Sequence, residues 1–290
     1  MLKLSIVIAT YNSGRTLKQA LDSIRYQTYK DIETIIVDGL SKDNTIEIIK
    51  EYSDVVTKYI SEADTGIYNA FNKGINLATG DYICFLGSDD CYINYDVINK
   101  VMNEIDETVD MLSAPIICID ENNREFDASN QLTKEEILSG KMLPHPGMFV
   151  KMVIMKKYMF NENNKIISDY EFLLRYVING GNIQVVDYPV VYFSLGGISS
   201  DGFNGDKWQL NICEHLRLYQ SLNLDKKYLF AYLNNEFHYS DIYKIKFIVV
   251  NLLRIILKKL KVIEIIKITI GKKRSHKCTL KYCRWCGKIN

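Results

Sequence analysis

The chain has 290 residues, 47% hydrophobic and 24% charged, which suits one large domain or a domain with an appendage. Only four prolines and no low-complexity run argue against long disordered linkers, and seven scattered cysteines do not make a disulfide framework, so a reducing cytoplasm fits best. The net charge of +1 hides a split: residues 242–290 carry 14 Lys/Arg against Glu264 alone, a balance of +13, and the rest of the chain stands at −12. That asymmetry points to a basic tail facing an anionic surface, either membrane or nucleic acid.

Leu4–Ala9 is apolar and β-branched, too short for the core of a signal peptide, and reads as a first strand. Ser13-Gly14 then opens a helical pattern through Leu17, Ala20, Leu21 and Ile24. Thr34–Val37 is a second buried strand ending at Asp38-Gly39, and Asp43 or Asn44 is placed to cap a helix over Thr45–Tyr52. Val55–Ser61 reads as a third strand, followed by the loop Ala63-Asp64-Thr65-Gly66 and a helix through Ile67, Ala70, Phe71, Gly74 and Ile75. Tyr82–Leu86 is the fourth strand. This alternation implies a largely parallel sheet with helices on both faces.

Further on, Met111–Ile119 reads as a strand, Lys134–Ser139 as a short helix and Gly147–Val150 as a strand. Ser168–Asn179 has a helical period closed by Gly180-Gly181, and Ile183–Val186 and Val190–Phe193 read as strands. From Asp206 the pattern is helical, which sets a domain boundary near residue 205.

Three strands end in polar residues: Thr10-Tyr11-Asn12, Asp38, and Ser88-Asp89-Asp90. In one parallel sheet these ends converge on the crevice where open α/β sheets bind ligands. Paired carboxylates there suit a hard divalent cation that also grips phosphates, although an acidic turn capping the next helix uses the same residues. Neither G-x-G-x-x-G nor G-x-x-x-x-G-K-[ST] is present, which removes the common dinucleotide and nucleoside-triphosphate loops.

Taken together, Leu4–Asn12, Ile36–Gly39, Ser61–Gly74, Ala78–Asp90, Ser168–Arg175 and Gly196–Ser199 resemble family 2 of the glycosyltransferases, inverting enzymes of the GT-A fold. The likeness runs in order over residues 4–199 and is closest to the bacterial subgroup that builds O-antigen, capsule or colanic-acid-type polysaccharides. It implies an α/β, Rossmann-like, largely parallel mixed sheet flanked by helices, forming a domain over residues 1–205 with a helical basic extension over 206–290. It also implies a UDP-sugar donor, with Asp38 at the uracil and Thr10, Tyr11 and Asn12 beside the base. Asp64, Lys73 and Ser88 support the donor. Asp89 matches the last carboxylate of the metal-binding D-x-D motif and, with Asp90, would hold Mn²⁺ or Mg²⁺; Gly87 stands where the motif's first Asp belongs. Asp169 takes the catalytic-base position at a helix start, where Ser168 or Asp169 would otherwise serve as an N-cap. His145 and Tyr170 are acceptor-side candidates.

The tail adds a location. Lys244, Asn251, Arg254, Lys258 and Lys261 follow one helical face, opposite Ile245, Ile248, Val249, Leu252, Ile256, Leu260 and Ile263. No uncharged apolar run nears the roughly 18 residues that span a bilayer. A basic amphipathic segment over residues 242–270 suits the surface of an anionic leaflet, or packing on the catalytic domain with a solvated basic face. Nucleic acid fits less well, since aromatic residues are sparse among the charges. His276, Cys278, Cys283 and Cys286 are too crowded for an ordinary closed zinc site, which leaves reduced cysteines as the expectation.

The expected activity is therefore β-glycosidic transfer from a UDP-sugar to an undecaprenyl-type lipid-diphosphate saccharide. The enzyme would be peripheral on the inner face of the cytoplasmic membrane, in O-antigen or lipopolysaccharide assembly. A sugar-1-phosphate nucleotidyltransferase and a non-catalytic sugar-nucleotide-binding subunit are the alternatives.

Overall fold

The computed structural model describes residues 1–195 and 206–236, apart from 107, 121, 123, 129 and 130. The first half alternates β1 (Leu4–Thr10), α1 (Leu17–Arg25), β2 (Ile32–Asp38), α2 (Thr45–Glu51), β3 (Val56–Ser61), α3 (Ile67–Leu77) and β4 (Tyr82–Phe85). Then come β5 (Cys91–Tyr92), α4 (Val97–Glu104), β6 (Met111–Ser113), β7 (Ile116–Ile119), β8 (Glu125–Ala128) and α5 (Lys134–Leu138). A 3₁₀ turn at His145–Gly147 leads into β9 (Met148–Lys151), α6 (Met152–Tyr158), α7 (Ser168–Ile178), β10 (Gln184–Val185) and β11 (Val191–Ser194). The described part closes with α8 (Asp206–Ser221) and α9 (Lys226–Glu236).

The main sheet runs β10-β6-β9-β4-β1-β2-β3, and a smaller one runs β5-β11-β7-β8. β3, β2, β1 and β4 are mutually parallel, while β9 enters antiparallel between β4 and β6. The central strands read as continuous apolar runs because helices cover both faces. Leu4, Ile6, Val7, Ile8, Ile35, Ile36 and Val37 have no solvent exposure. Leu17, Ala20, Leu21 and Ile24 form the buried stripe of α1, and full burial of each large aliphatic contributes about 1.5–3 kcal/mol. α3 lies so close to β1 that a Cβ on Gly74 would stand 2.4 Å from Val7 Cγ1.

The expected strand over Met111–Ile119 is two strands in two sheets. β6 joins the main sheet and β7 the small one. The break falls at Ala114-Pro115, where proline has no N–H to continue a ladder. The Ala114 amide instead donates to the Gly147 carbonyl at 2.8 Å, tying the crossing to the turn before β9.

Met1–Tyr232 forms one compact unit; of the second, Leu233–Asn290, the described residues are 233–236. Among the described residues no helix is long and apolar enough to cross a membrane. The basic segment 242–270, the Gly196–Ser199 motif and the His276, Cys278, Cys283 and Cys286 cluster lie outside the described residues.

Candidate active site

The sheet register brings Thr10, Asp38 and Ser61 abreast at the C-terminal edge of β1, β2 and β3. Asp38 has no solvent exposure. Its Oδ1 accepts from Thr10 Oγ1 at 3.0 Å and from Ser41 Oγ; its Oδ2 accepts from the Ser41 amide at 3.0 Å and Ser61 Oγ at 2.7 Å. Asp38 thus locks three strand ends together beneath the crevice. Asn12, with φ of 52°, completes the lock: its amide donates to Ser41 Oγ at 2.8 Å, and its Oδ1 accepts from the Lys42 amide at 2.8 Å. Above them Tyr11 is 60% exposed.

Asp64 rises over the same edge. Its Oδ1 accepts from the Gly66 amide at 2.9 Å, and its Oδ2 lies 2.6 Å from where a Cβ on Gly39 would stand. Gly39 is therefore the small residue that lets this carboxylate reach the end of β2 beside Tyr11. Lys73 donates to the Ala63 carbonyl at 2.8 Å and pairs with Glu62 at 2.8 Å. It clamps the loop that carries Asp64.

At the end of β4 the two adjacent acids separate. Asp90 is 2% exposed and turns inward. Its Oδ1 accepts from the Ser194 amide at 2.9 Å and its Oδ2 from the Gly87 amide at 3.1 Å. Burial pushes its carboxyl up to about 7, against the pull of those two amides. Ser194 also donates to the Asp89 carbonyl at 2.6 Å, so the turn is stapled to β11. Asp89 is half-buried, its side chain accepts from neither the Ser194 nor the Gly87 amide, and burial raises its pKa. Ser88 Oγ meets Ser13 Oγ at 2.9 Å, joining the turn to the end of β1. A Cβ on Gly87 would come within 2.4 Å of Asp90 Oδ2, so the space for a first motif carboxylate is filled by Asp90, the residue after the motif.

Asp169 is the second residue of α7 and is half-buried. Neither it nor Ser168 is the cap: Ile167 holds that position without a side-chain bond, and Ser168 Oγ accepts from the Asn161 amide at 2.5 Å. Asp169 Oδ1 accepts from the Tyr170 amide at 2.8 Å, and the Tyr68 hydroxyl, whose one proton is shared with the Ile166 carbonyl at 2.6 Å, lies 3.0 Å from it. No protein donor among the described residues reaches Oδ2. His145 connects the two halves of the site. Its ring stacks on Phe85, the last residue of β4, at 5.1 Å and 19°. Burial lowers its pKa, and the nearby charge of Asp169 partly opposes that. A neutral imidazole is thereby packed against Phe71, Phe85 and Phe160, within reach of the Asp169 charge.

The model of glycosyl transferase family 2 matches residues 5–167, more than half the chain. The chain belongs to that family. A Mycobacterium tuberculosis PGL/p-HBAD biosynthesis glycosyltransferase is 30% identical over 206 residues, covering 68% of this chain and 78% of its own. An uncharacterized glycosyltransferase of Methanocaldococcus jannaschii is 33% identical over 196 residues, covering 63% of this chain and 67% of its own. Among solved structures, Staphylococcus aureus TarS 1-349 in complex with UDP-GlcNAc superposes with a TM-score of 0.65 at 21% identity, over 83% of this chain and 74% of that one. The mannosyltransferase PcManGT of Pyrobaculum calidifontis, in complex with GDP-Man and Mn²⁺, gives 0.59 at 16% identity, over 77% of this chain and 65% of that one. The GT-A fold expected from the sequence is thereby shown, in a family of sugar transferases rather than nucleotidyltransferases.

In this family 2 glycosyltransferase the donor set suits a divalent cation in a limited way. Mg²⁺ and Mn²⁺ take oxygen ligands, often one or two carboxylates with substrate phosphates supplying others. Asp89 offers such a carboxylate at the β4 turn; Asp90 is buried and each of its oxygens already accepts one backbone amide, and no cluster of three ligating side chains occurs among the described residues.

Tyr170 does not face an acceptor. It is 3% exposed, donates to the Ile137 carbonyl at 2.7 Å and meets the Tyr219 hydroxyl at 2.9 Å. Asp38 has its four donors from the protein, so no acceptor site is left pointing at a base. Ser41, Ser61, Tyr68 and Ser194 organise the site and were not singled out by sequence reasoning. Tyr68 lies within the Ser61–Gly74 segment, but its helical position gives no sign that its hydroxyl meets a residue 101 positions away.

Proposed function

We propose that this family 2 glycosyltransferase moves a sugar from a UDP-sugar to a lipid-diphosphate-linked saccharide, with inversion at the anomeric carbon. The reading rests on Asp169. Its Oδ1 is met by Tyr68 and its Oδ2 lacks a protein donor among the described residues, and its charge reaches His145, which stacks on Phe85 at the end of β4. The acceptor hydroxyl attacks the anomeric carbon while Asp169 takes its proton; the bond from that carbon to the diphosphate oxygen breaks and the nucleoside diphosphate leaves. An α-linked donor then yields a β-linked product. His145, neutral and stacked on Phe85, walls the acceptor side.

Asp89 would hold a divalent cation, whose charge would offset that of the diphosphate leaving group. Asp64, on Tyr11's side of the crevice, takes the base or ribose, with Thr10, Asn12 and Asp38 beneath as its support and Ser88 bracing the turn. The UDP complexes of TarS support a uridine donor, and the Mn²⁺ in PcManGT supports the cation. The lipid acceptor, the inner-membrane location and the polysaccharide role draw support from the subgroup resemblance and the +13 charge of residues 242–290.

The test uses the full chain, a panel of UDP-sugars, a synthetic undecaprenyl-type diphosphate monosaccharide, and Mn²⁺ or Mg²⁺. Cation-dependent transfer with β-anomeric coupling in the product is expected. Asp169→Asn should lower turnover by about 10²–10⁴-fold while UDP still binds. An α-linked product, or undiminished turnover by that variant, would overturn the assignment. Donor binding with neither transfer nor UDP-sugar hydrolysis would instead mark a binding subunit.

A further inference from the structure

The segment that delivers Asp169 has an unusual anchor. α7 starts without a side-chain cap from Ile167, yet helix N-termini leave backbone N–H groups that need acceptors. An acceptor for the cap amide of Ile167, and for the two residues before it, comes from α8. Glu214, 1% exposed, accepts from the Lys165 amide at 2.7 Å through Oε1, and from the Ile166 and Ile167 amides at 3.0 and 3.3 Å through Oε2. Three successive N–H groups thus converge on one buried carboxylate.

The other side of the segment is pinned as well. The Tyr68 hydroxyl donates to the Ile166 carbonyl at 2.6 Å and lies 3.0 Å from Asp169 Oδ1. Lys165 Nζ donates to the Thr65 carbonyl at 2.8 Å, next to the loop that carries Asp64. Residues 165–167 are therefore held from α8 by Glu214 and from α3 by Tyr68, one turn before the base.

We infer that Glu214 is a positioning residue for the transfer reaction. By gathering the amides of residues 165–167, its buried carboxylate fixes the start of α7 and so the direction of the Asp169 carboxylate. Glu214 lies beyond residues 5–167, so the family match does not reach it. The inference rests on Asp169 being the base. Its structural half, the pinning of 165–167, stands or falls separately.

Replacement by glutamine separates the roles. The amide oxygen can keep the Ile166 and Ile167 bonds, whereas its NH₂ meets the Lys165 N–H donor to donor. Glu214→Ala loses all three.

Two measurements on the full chain decide the matter. The first is amide hydrogen exchange of 165–167, read without substrate. Glu214→Ala should lose protection there by about tenfold or more, and Glu214→Gln should lose it mainly at Lys165. Protection unchanged in both variants overturns the pinning, whether or not transfer has been found.

The second is steady-state transfer with the UDP-sugar and acceptor that the wild type turns over. Glu214→Ala should lower kcat by about 10–100-fold with KM for the donor within about threefold, and displace the acid limb of the kcat–pH profile, since a base that is misaligned is also re-solvated. Glu214→Gln should recover much of the rate. Unchanged kcat and pH profile in folded Glu214→Ala overturn the positioning role. Should Glu214→Ala not fold, Glu214→Gln carries the test: a wild-type pH profile together with wild-type exchange at Lys165 rejects the inference. Inactivity of the wild type on every donor would speak against the proposed function and leave the exchange result to decide the pinning.

Discussion

Asp89 and Asp90 are neighbours in sequence with opposite environments, and Gly87 explains the division. A methyl group there would strike Asp90 Oδ2 at 2.4 Å and lie 3.0 Å from Asp89 Oδ1. Filling position 87 with an acid therefore does not restore a stronger cation site. It forces Asp90 off the Gly87 and Ser194 amides and opens the staple to β11. Gly87→Asp should lower activity, and Gly87→Ala should lose about 1–3 kcal/mol of stability, the usual cost of overpacking a filled space. Denaturant melts of both variants, alongside cation-titrated turnover, check this; tighter cation dependence with retained stability in Gly87→Asp would contradict it. Asp89→Ala, by contrast, removes a carboxylate that staples nothing. Its melting temperature should stay near wild type while cation-dependent turnover falls at least about 10²-fold, as when other preorganised charge stabilisation is removed.

At the scale of elements, the site depends on strand ends being level. The register that sets Thr10, Asp38 and Ser61 abreast follows from parallel pairing of β1, β2 and β3. Asp38→Ala would leave the Ser41 amide and three hydroxyls around an empty pocket. That should cost about 1–3 kcal/mol, typical of leaving buried donors unsatisfied, and free the 38–44 loop. Chemical denaturation gives the first figure, and loss of amide protection at Ser41 and Lys42 the second.

The alternation of β1 to β4 with α1 to α3 was legible because β1, β2 and β4 are largely apolar runs and each helix has a buried stripe. Converging Thr10, Asp38 and Asp89 on one edge followed directly. What Asp38 does there was not legible, since its partners Ser41 and Ser61 carry no periodic signal. β6 and β7 were read as one strand because apolar residues continue across Pro115, where the chain passes from one sheet to another. β5 and β10 have two residues each, too few for any period, and α6 follows β9 without a turn residue to mark the change. Glu214 was invisible for a related reason: its helical setting announces nothing of the three amides it meets across the fold.

For the molecule as a whole, acid stability should turn on two buried groups, Glu33 and His215. Glu33, 1% exposed on β2, is disfavoured as an anion by burial, but bonds from Ser5, Thr79 and Lys3 outweigh this and hold it at about 2. His215, 5% exposed, stacks between Tyr170 at 4.9 Å and Tyr232 at 4.2 Å, and burial lowers it to about 4 against a bond with the Asn211 carbonyl. Both groups bind a proton less readily when folded than when unfolded. Each therefore contributes stability that is full above its unfolded pKa and is lost as pH falls toward its folded one. For His215 that window runs from about 6.5 down to about 4, and for Glu33 from about 4.5 down to about 2. Each is worth about 3 kcal/mol at most, from shifts of roughly two and a half pH units. His215→Phe keeps the stack without a titrating group, so its stability relative to wild type should rise between pH 6.5 and 4 and then level off. Glu33→Gln should be less stable than wild type at pH 7, and the gap should narrow only below about 4.5. Urea unfolding of the three proteins at half-unit pH steps would resolve the windows. Parallel curves for His215→Phe and wild type across pH 4–6.5 would show that the aromatic stack does not hold the imidazole neutral.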